Sequence, residues 1–570
     1  MTKALRLRGN ARGNFLIILF LALILFAGAL ISLSSQYETN DDAAMNMYAA
    51  GKNLGQKPSQ FLLFQHFVIG LGLKFFYEHC PQVPWYGALL YIYLFVSSLL
   101  IGYALLRMHD RLSTAGVWVA LFLIFYLQVI VSPQFTVCAG YLAIAGILVL
   151  YSAVSKPYAS RNANRWWLCL GMMLLIWAGL VRFYSLLLVM FSMVPLYGVA
   201  FVRRRADAWR GLFPILFLVA LASVFLNWTQ VFYYEHSPGW EQFYRYNNVR
   251  AEYIDRHKIA WNKSTAPLFQ RIGWSRNDLE MLTSWFYLDP NVYSFNNLVF
   301  ISQNSELLPK AGIDWDSLFT NLLQSLRSYS GMGGILLCIV VLARNPMTTQ
   351  GFAVFALVWY GILFTGISLV ERHLPLRVWL VMLCSFYATE AVLWCQAREE
   401  MPEGSEDARP THRLPILSRV IVALFLALCV GQLKINWERS NRYRLLQREF
   451  RHDLEELKPR ADQLFVTWGG DFPYQTFQLP DEATPASQEM QFLGLGVGNH
   501  EPVVQNRLRS FGINDLYQAF YQRNDVLLIC IPRKRKLLEK YIQEHYHEKV
   551  LVRTVFKGKT FTVCKVAIQG

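Results

Sequence analysis

Residues 15–53 read FLIILFLALILFAGALISLSSQYETNDDAAMNMYAAGKN. The first half, 15–33, is an uncharged apolar run of the length that crosses a bilayer. Directly behind it, Glu38, Asn40, Asp41 and Asp42 crowd acid and amide groups into the exit from the lipid. Repeated, such a run makes a membrane bundle. What the carboxylates do depends on which other groups share their side. The basic residues ahead of the run, Lys3, Arg6, Arg8 and Arg12, also suit a signal peptide. The run is longer than an h-region and no small-residue cleavage site precedes the polar loop, so a retained anchor is expected.

The rest of the chain repeats the pattern. Of 570 residues, 54% are hydrophobic and 16% charged. A mean hydropathy of +0.26 over that length excludes an ordinary soluble globular protein. Apolar runs near 14–33, 85–106, 114–131, 135–153, 166–181, 184–202, 211–228, 330–343, 350–369, 378–397 and 416–432 predict about eleven transmembrane helices. The segment 61–77, FLLFQHFVIGLGLKFFY, is also apolar but carries Gln65, His66 and Lys74. Treating it as interfacial puts the basic segments on one side: those before residue 15, Arg107/Arg111, Lys156/Arg161/Arg165, Arg203/Arg204/Arg205/Arg210, Arg344 and Arg398/Arg409/Arg413. The positive-inside rule makes that side cytoplasmic, and another span at 61–77 would push most of them outside. The net charge of +15 is therefore read as membrane orientation, with lipid head groups or a phosphorylated substrate as partners and no nucleic acid.

This orientation expects the N-terminus in the cytoplasm and the C-terminus outside. The outer face then receives the ETNDD loop (34–84), the VRFYS break around Arg182, the loop 229–329, the ERHLPLRV turn (371–378) and the tail. Residues 1–432 are expected to form the transmembrane domain and 433–570 a soluble extracytoplasmic α/β domain. In that tail, DQLFVTW and DVLLICIP read as strands, KRKLLEKYIQEHYH as a helix, and the end as a hairpin turning at Lys557-Gly558-Lys559. No phosphate loop or nucleophile elbow marks it. The long outer loop is rich in Tyr, Trp and Asn, read either as an interfacial aromatic belt or as a sugar-stacking or lipid-gripping surface. The nine cysteines show no metal spacing, and a bridge between Cys530 and Cys564 stays open.

Asn40 is suited to cap a helix with Asp41 and Asp42 in its first turn and Gly51 at its end. The same pair borders a low-dielectric region, where desolvation and mutual repulsion raise one carboxyl pKa. A raised carboxylate serves as general base toward a hydroxyl. A phosphate leaving group needs no proton, but it needs cations. Arg182 interrupts a double apolar run, an expensive place for a charge. Arg372, His373 and Arg377 add potential cations between two spans, and Arg matches phosphate oxygens bidentately. Glu38, Asn40 and His66 complete the candidate substrate-binding set.

NDDAAM after the first span, LVRFYS, ERHLPLRVW, about eleven spans and an outward tail together resemble the C-type glycosyltransferase superfamily, multispanning enzymes that use lipid-phosphate sugars. That resemblance implies a membrane hexosyl or pentosyl transferase in the cytoplasmic (inner) membrane. It would move a sugar from a polyprenyl-phosphate donor to a surface glycan or glycolipid with inversion. It points to Asp41 as base, Asp42 as partner or alternate, and Arg182, Arg372 and Arg377 as the phosphate clamp. Some members use a divalent metal; no further acidic cluster here calls for one, and no cofactor is expected. A lipid-linked glycan polymerase or ligase is the alternative among enzymes, and a non-enzymatic lipid or glycan transporter the alternative outside them. The absence of an internal repeat and the concentration of charge at one face speak against transport.

Overall fold

The computed structural model describes residues 11–51, 57–109, 112–156, 161–203, 208–251, 260–304, 315–344, 347–370, 374–399, 414–476 and 490–569. Among them, nine helices are long and apolar enough to cross a membrane: Gly13–Ser32, Trp85–Met108, Leu112–Val131, Phe135–Ser155, Asn162–Val181, Arg210–Glu235, Met347–Val370, Leu376–Gln396 and part of Arg419–Arg460. Two bent pairs bring the total to eleven. Phe183–Ser192 and Val194–Arg203 meet at 48°, and Trp315–Arg327 and Tyr329–Ala343 at 71°. Every expected apolar run coincides with one of these. The run near 330–343, too short alone, is completed by the preceding helix across a sharp bend.

Phe135–Ser155 lies at the centre of the bundle and is apolar on every side; almost all of its residues are buried. It packs closely on the helix Arg161–Val181 because two glycines meet. A Cβ on Gly146 would lie 3.0 Å from the Gly171 carbonyl, the close approach small residues permit between helices in lipid.

The first span, α1 (Ala11–Ser32), leads through an extended strap into α2 (Asn40–Ala50). Gly51 ends α2 in the left-handed region at φ 69°, its N–H closing on the Met47 and Tyr48 carbonyls. The N-cap is Thr39, one residue earlier than expected, and its hydroxyl turns to the Asp42 carboxylate at 2.9 Å. Next come α3 (Phe67–His79) and the span α4 (Trp85–Met108). With 13 residues, α3 is about 20 Å long, short of the roughly 30 Å hydrocarbon core.

The last span does not stop at the membrane. A single helix, Leu414–Leu457, continues past residue 433 and ends beneath a five-stranded sheet. Its order is β2 (Gln491–Leu495), β1 (Leu464–Trp468), β3 (Val526–Ile529), β5 (Thr562–Ile568), β4 (Val550–Lys557). β1 runs parallel to β2 and β3, and β5 is antiparallel to β3 and β4. Asp453 on the long helix accepts from the Lys559 and Thr560 N–H groups at 3.0 and 2.7 Å and so holds the β4–β5 turn. Four strands match expected ones. β2 was not expected: QFLGL is short, with a central glycine and no alternation.

The aromatic segment 266–303 is largely core. Trp274, Phe286, Tyr287 and Tyr293 are buried in one cluster with Trp468, Tyr517, Phe520 and Tyr541 of the tail. Hydrogen bonds join the two segments: Trp468 Nε1 to the Ser284 carbonyl at 2.7 Å and Tyr541 Oη to Asp289 at 3.0 Å. Cys530 and Cys564 are buried thiols at the meeting of β3 and β5.

Candidate functional site: carboxylates and guanidiniums at one end of the bundle

Three chain breaks converge where α2 leaves the bundle. The first is the strap before α2. Gln36 and Glu38 donate their N–H groups to the Val131 and Pro133 carbonyls at 3.1 and 3.2 Å, fixing the strap to the end of Leu112–Val131. Asp42 then locks α2 in place. One carboxylate oxygen accepts from Tyr86 Oη at 2.9 Å and from the Phe135 N–H at 3.0 Å; the other meets the Thr39 hydroxyl. Asp42 is fully enclosed, tying α2 to α4 and to the positive end of the central helix. Asn46 accepts from Tyr77 Oη at 2.7 Å one turn later.

Burial pushes the Asp42 carboxyl up to about 8, against the Thr39, Phe135 and Tyr86 hydrogen bonds that lower it. A carboxyl raised above its unfolded value contributes stability that is present at low pH and lost as pH rises through the folded value. Thermal stability is therefore expected to fall between about pH 4 and pH 8. Asp42→Asn, whose amide resembles the neutral acid, should flatten that profile in a melting experiment. Asp42→Ala leaves the Tyr86 hydroxyl and the Phe135 N–H without their acceptor, at about 1–3 kcal/mol each.

Adjacent positions on a helix point about 100° apart, so Asp41 leaves this enclosure and is only partly buried. Near it stands the second break. Arg182 separates Arg161–Val181 from Phe183–Ser192 and is extended, at φ −158°. Its guanidinium lies 5.5–5.7 Å from the ring centroids of Phe64, Phe135 and Tyr184. One nitrogen donates to the Phe64 carbonyl at 3.4 Å. That carbonyl is set by Leu63, a non-glycine residue in the left-handed region at φ 59°, which costs roughly 1–2 kcal/mol. Arg182 feels the charges of both Arg377 and Asp41.

The third break precedes Leu376–Glu399, whose first turn carries Arg377. Burial raises the Glu38 carboxyl, Arg377 lowers it, Asp41 raises it and Arg439 lowers it. Among the described residues, the buried Glu38 Oε2 atom has no hydrogen-bond partner. Glu38, Asp41, Arg182, Arg377 and Arg439 therefore share one electrostatic neighbourhood. Arg439 was missed by the sequence reading, because nothing in the exposed-looking ERSNRYR singles it out. Arg372 and His373 lie outside the described residues.

Asn40 stands at the edge of this group, against the tail; its side-chain nitrogen would be 3.5 Å from a Cβ on Gly470. His66 is engaged elsewhere. Its Nε2 lies 2.9 Å from the Leu226 carbonyl, its Nδ1 accepts from the Val68 N–H, and burial lowers its pKa. It is a neutral cap of α3.

Two further groups of His, Asp and Glu cluster among the described residues: Asp278 with Glu544 and His545, and His452 with Asp453 and Glu456. Asp278 is committed to His545 at 2.8 Å and to the Ser275 N–H at 2.7 Å, and Asp453 to the hairpin turn. Neither group includes Glu38 or Asp41. One acid escaped the sequence reading altogether. Glu390, in SFYATEAVLWC, is fully buried inside a span, and among the described residues neither carboxylate oxygen is hydrogen-bonded.

No family model matches the chain, and no curated protein matches it. Solved structures do, two of them of ArnT. The crystal structure of ArnT from Cupriavidus metallidurans bound to undecaprenyl phosphate is 12% identical, covers 97% of this chain and 98% of its own, and superposes with a TM-score of 0.42. The apo structure is 13% identical, with the same coverage and a TM-score of 0.41. The likeness to ArnT is full-length but weak, and no activity follows from it.

Proposed function

We propose that this protein is a membrane glycosyltransferase that moves a sugar from a polyprenyl-phosphate donor to a glycan or glycolipid on the outer face of the cytoplasmic membrane. The observation that carries this reading is the convergence of Asp41 and Glu38 with the guanidiniums of Arg182 and Arg377 at one end of the bundle. Asp41 takes the proton of the acceptor hydroxyl, whose oxygen attacks the anomeric carbon from the face opposite the phosphate. The bond from that carbon to the phosphate oxygen breaks, and its electron pair leaves with the polyprenyl phosphate. Arg182 and Arg377 stabilise that departing charge at the lipid boundary, where low dielectric strengthens it. Asp42 positions the helix and Glu38 orients Arg377.

Glycan analysis of a deletion strain tests the reading. The expected result is a surface glycan or glycolipid lighter by one sugar, restored by the wild-type gene. An unchanged glycan profile sinks it. The orientation is checked by a phosphatase reporter fused at the C-terminus, which should be active only outside the cytoplasm.

Transport remains the second reading because of Glu390. At about 21 Å along its helix from Leu376, it lies inside the span, about two-thirds of the way toward Gln396, and an acid within a span is a candidate for an ion or proton pathway. Proton-dependent lipid movement in vesicles, lost in Glu390→Gln, would favour it.

A further inference from the structure

Trp285 is a partly buried indole on a left-handed backbone at φ 69°. A bulky side chain adopts that conformation only where its surroundings hold it. Here they do. Its N–H donates to the Leu282 carbonyl at 3.1 Å, and its own carbonyl accepts from Asn499 Nδ2 at 3.2 Å. Phe286, next in the chain, is anchored in the shared core. The buried Arg250 guanidinium lies 4.6 Å from the indole centroid. The indole N–H makes no hydrogen bond among the described residues.

The position of this ring relative to α2 is informative. A Cβ on Gly469 would lie 3.7 Å from Trp285 Cβ, and a Cβ on Gly470 would lie 3.5 Å from Asn40 Nδ2. Consecutive Cα atoms are 3.8 Å apart and each Cβ adds about 1.5 Å, so the indole starts within about 14 Å of the Asn40 amide. Asn40 directly precedes Asp41. A glycan of one or two rings that extends from Asp41 toward the sheet domain is long enough to reach Trp285.

Resting on the transferase reading, we propose that Trp285 is a stacking platform for a pyranose ring of the acceptor. The C–H face of a pyranose is weakly positive and packs on the negative face of an indole. The cation of Arg250 holds the ring in place, and the ring stays partly exposed. The donor is excluded as the ring's partner by its phosphate, which belongs with Arg182 and Arg377 at the lipid boundary.

The test uses the full-length protein in lipid nanodiscs, with methyl β-D-glucopyranoside and methyl β-D-galactopyranoside as probes in saturation-transfer NMR. Trp285→Gly removes the ring and relieves the backbone, so it should melt near wild type yet bind about tenfold more weakly. Trp285→Tyr keeps an aromatic face and should retain binding. Trp285→Leu keeps apolar bulk without a π-face and should lose it, which decides the matter if the glycine variant does not fold. In a deletion strain, the tyrosine variant should restore the glycan and the leucine variant should not. Wild-type binding and glycan restoration by Trp285→Leu overturn the platform while the transferase reading stands. A wild-type protein that binds neither glycoside and alters no surface glycan overturns both.

Discussion

Asp41→Asn is expected to insert and melt like the wild type and to lose about 100- to 10,000-fold in transfer rate. The amide keeps the shape of the side chain in the first turn of α2, and Asp41 is not the N-cap, which is Thr39. What it loses is proton affinity, and a general base cannot act without it. Asp42→Asn provides the internal comparison. Asp42 is closed off by Tyr86, Phe135 and Thr39, so its substitution should shift the pH profile of stability more than the rate. A rate assay with a synthetic polyprenyl-phosphate hexose and a membrane glycolipid extract separates the two. Near-normal transfer by Asp41→Asn would leave α2 as a well-made helix start and remove the base from the mechanism. A dead Asp42→Asn beside an active Asp41→Asn would exchange the two roles.

The guanidiniums should give the next largest effect. Arg182→Ala and Arg377→Ala are each expected to lower transfer by about 100- to 1,000-fold, the usual cost of removing one preorganised group from a developing negative charge. Arg182→Lys should recover only part of this, because an ammonium keeps the charge and loses the planar fork. It also loses the flat contact with Phe64, Phe135 and Tyr184. Arg377→Ala is the cleaner experiment, since Arg182→Ala additionally strips a donor from the Phe64 carbonyl. Full turnover in both alanine variants would remove the phosphate clamp. Expression and melting must be measured alongside, because a misplaced Leu63 turn would also silence Arg182→Ala.

The sequence by itself determined the elements whose signal is local or periodic. Apolar runs long enough to cross a bilayer need no partner to be recognised, since unpaired backbone in lipid leaves a helix as the workable choice. The eleven runs, Gly51 as the end of α2 and the closing hairpin were legible for that reason. So was the choice of Asp41, Arg182 and Arg377 as groups worth watching, because charge beside lipid is costly wherever it occurs. Tertiary structure alone decided how these groups are packed. Asp41 and Asp42 are the same residue type in adjacent positions, and only packing against Tyr86 and Phe135 encloses one and leaves the other partly open. His66 looked like a site residue until the Leu226 carbonyl took its Nε2. Arg439, the left-handed Leu63 and Trp285, and the aromatic core shared by residues 266–303 and the tail depend on chain segments far apart in sequence. Contacts of that range leave no period or motif in the chain, because they are set by which surfaces meet once the helices have packed.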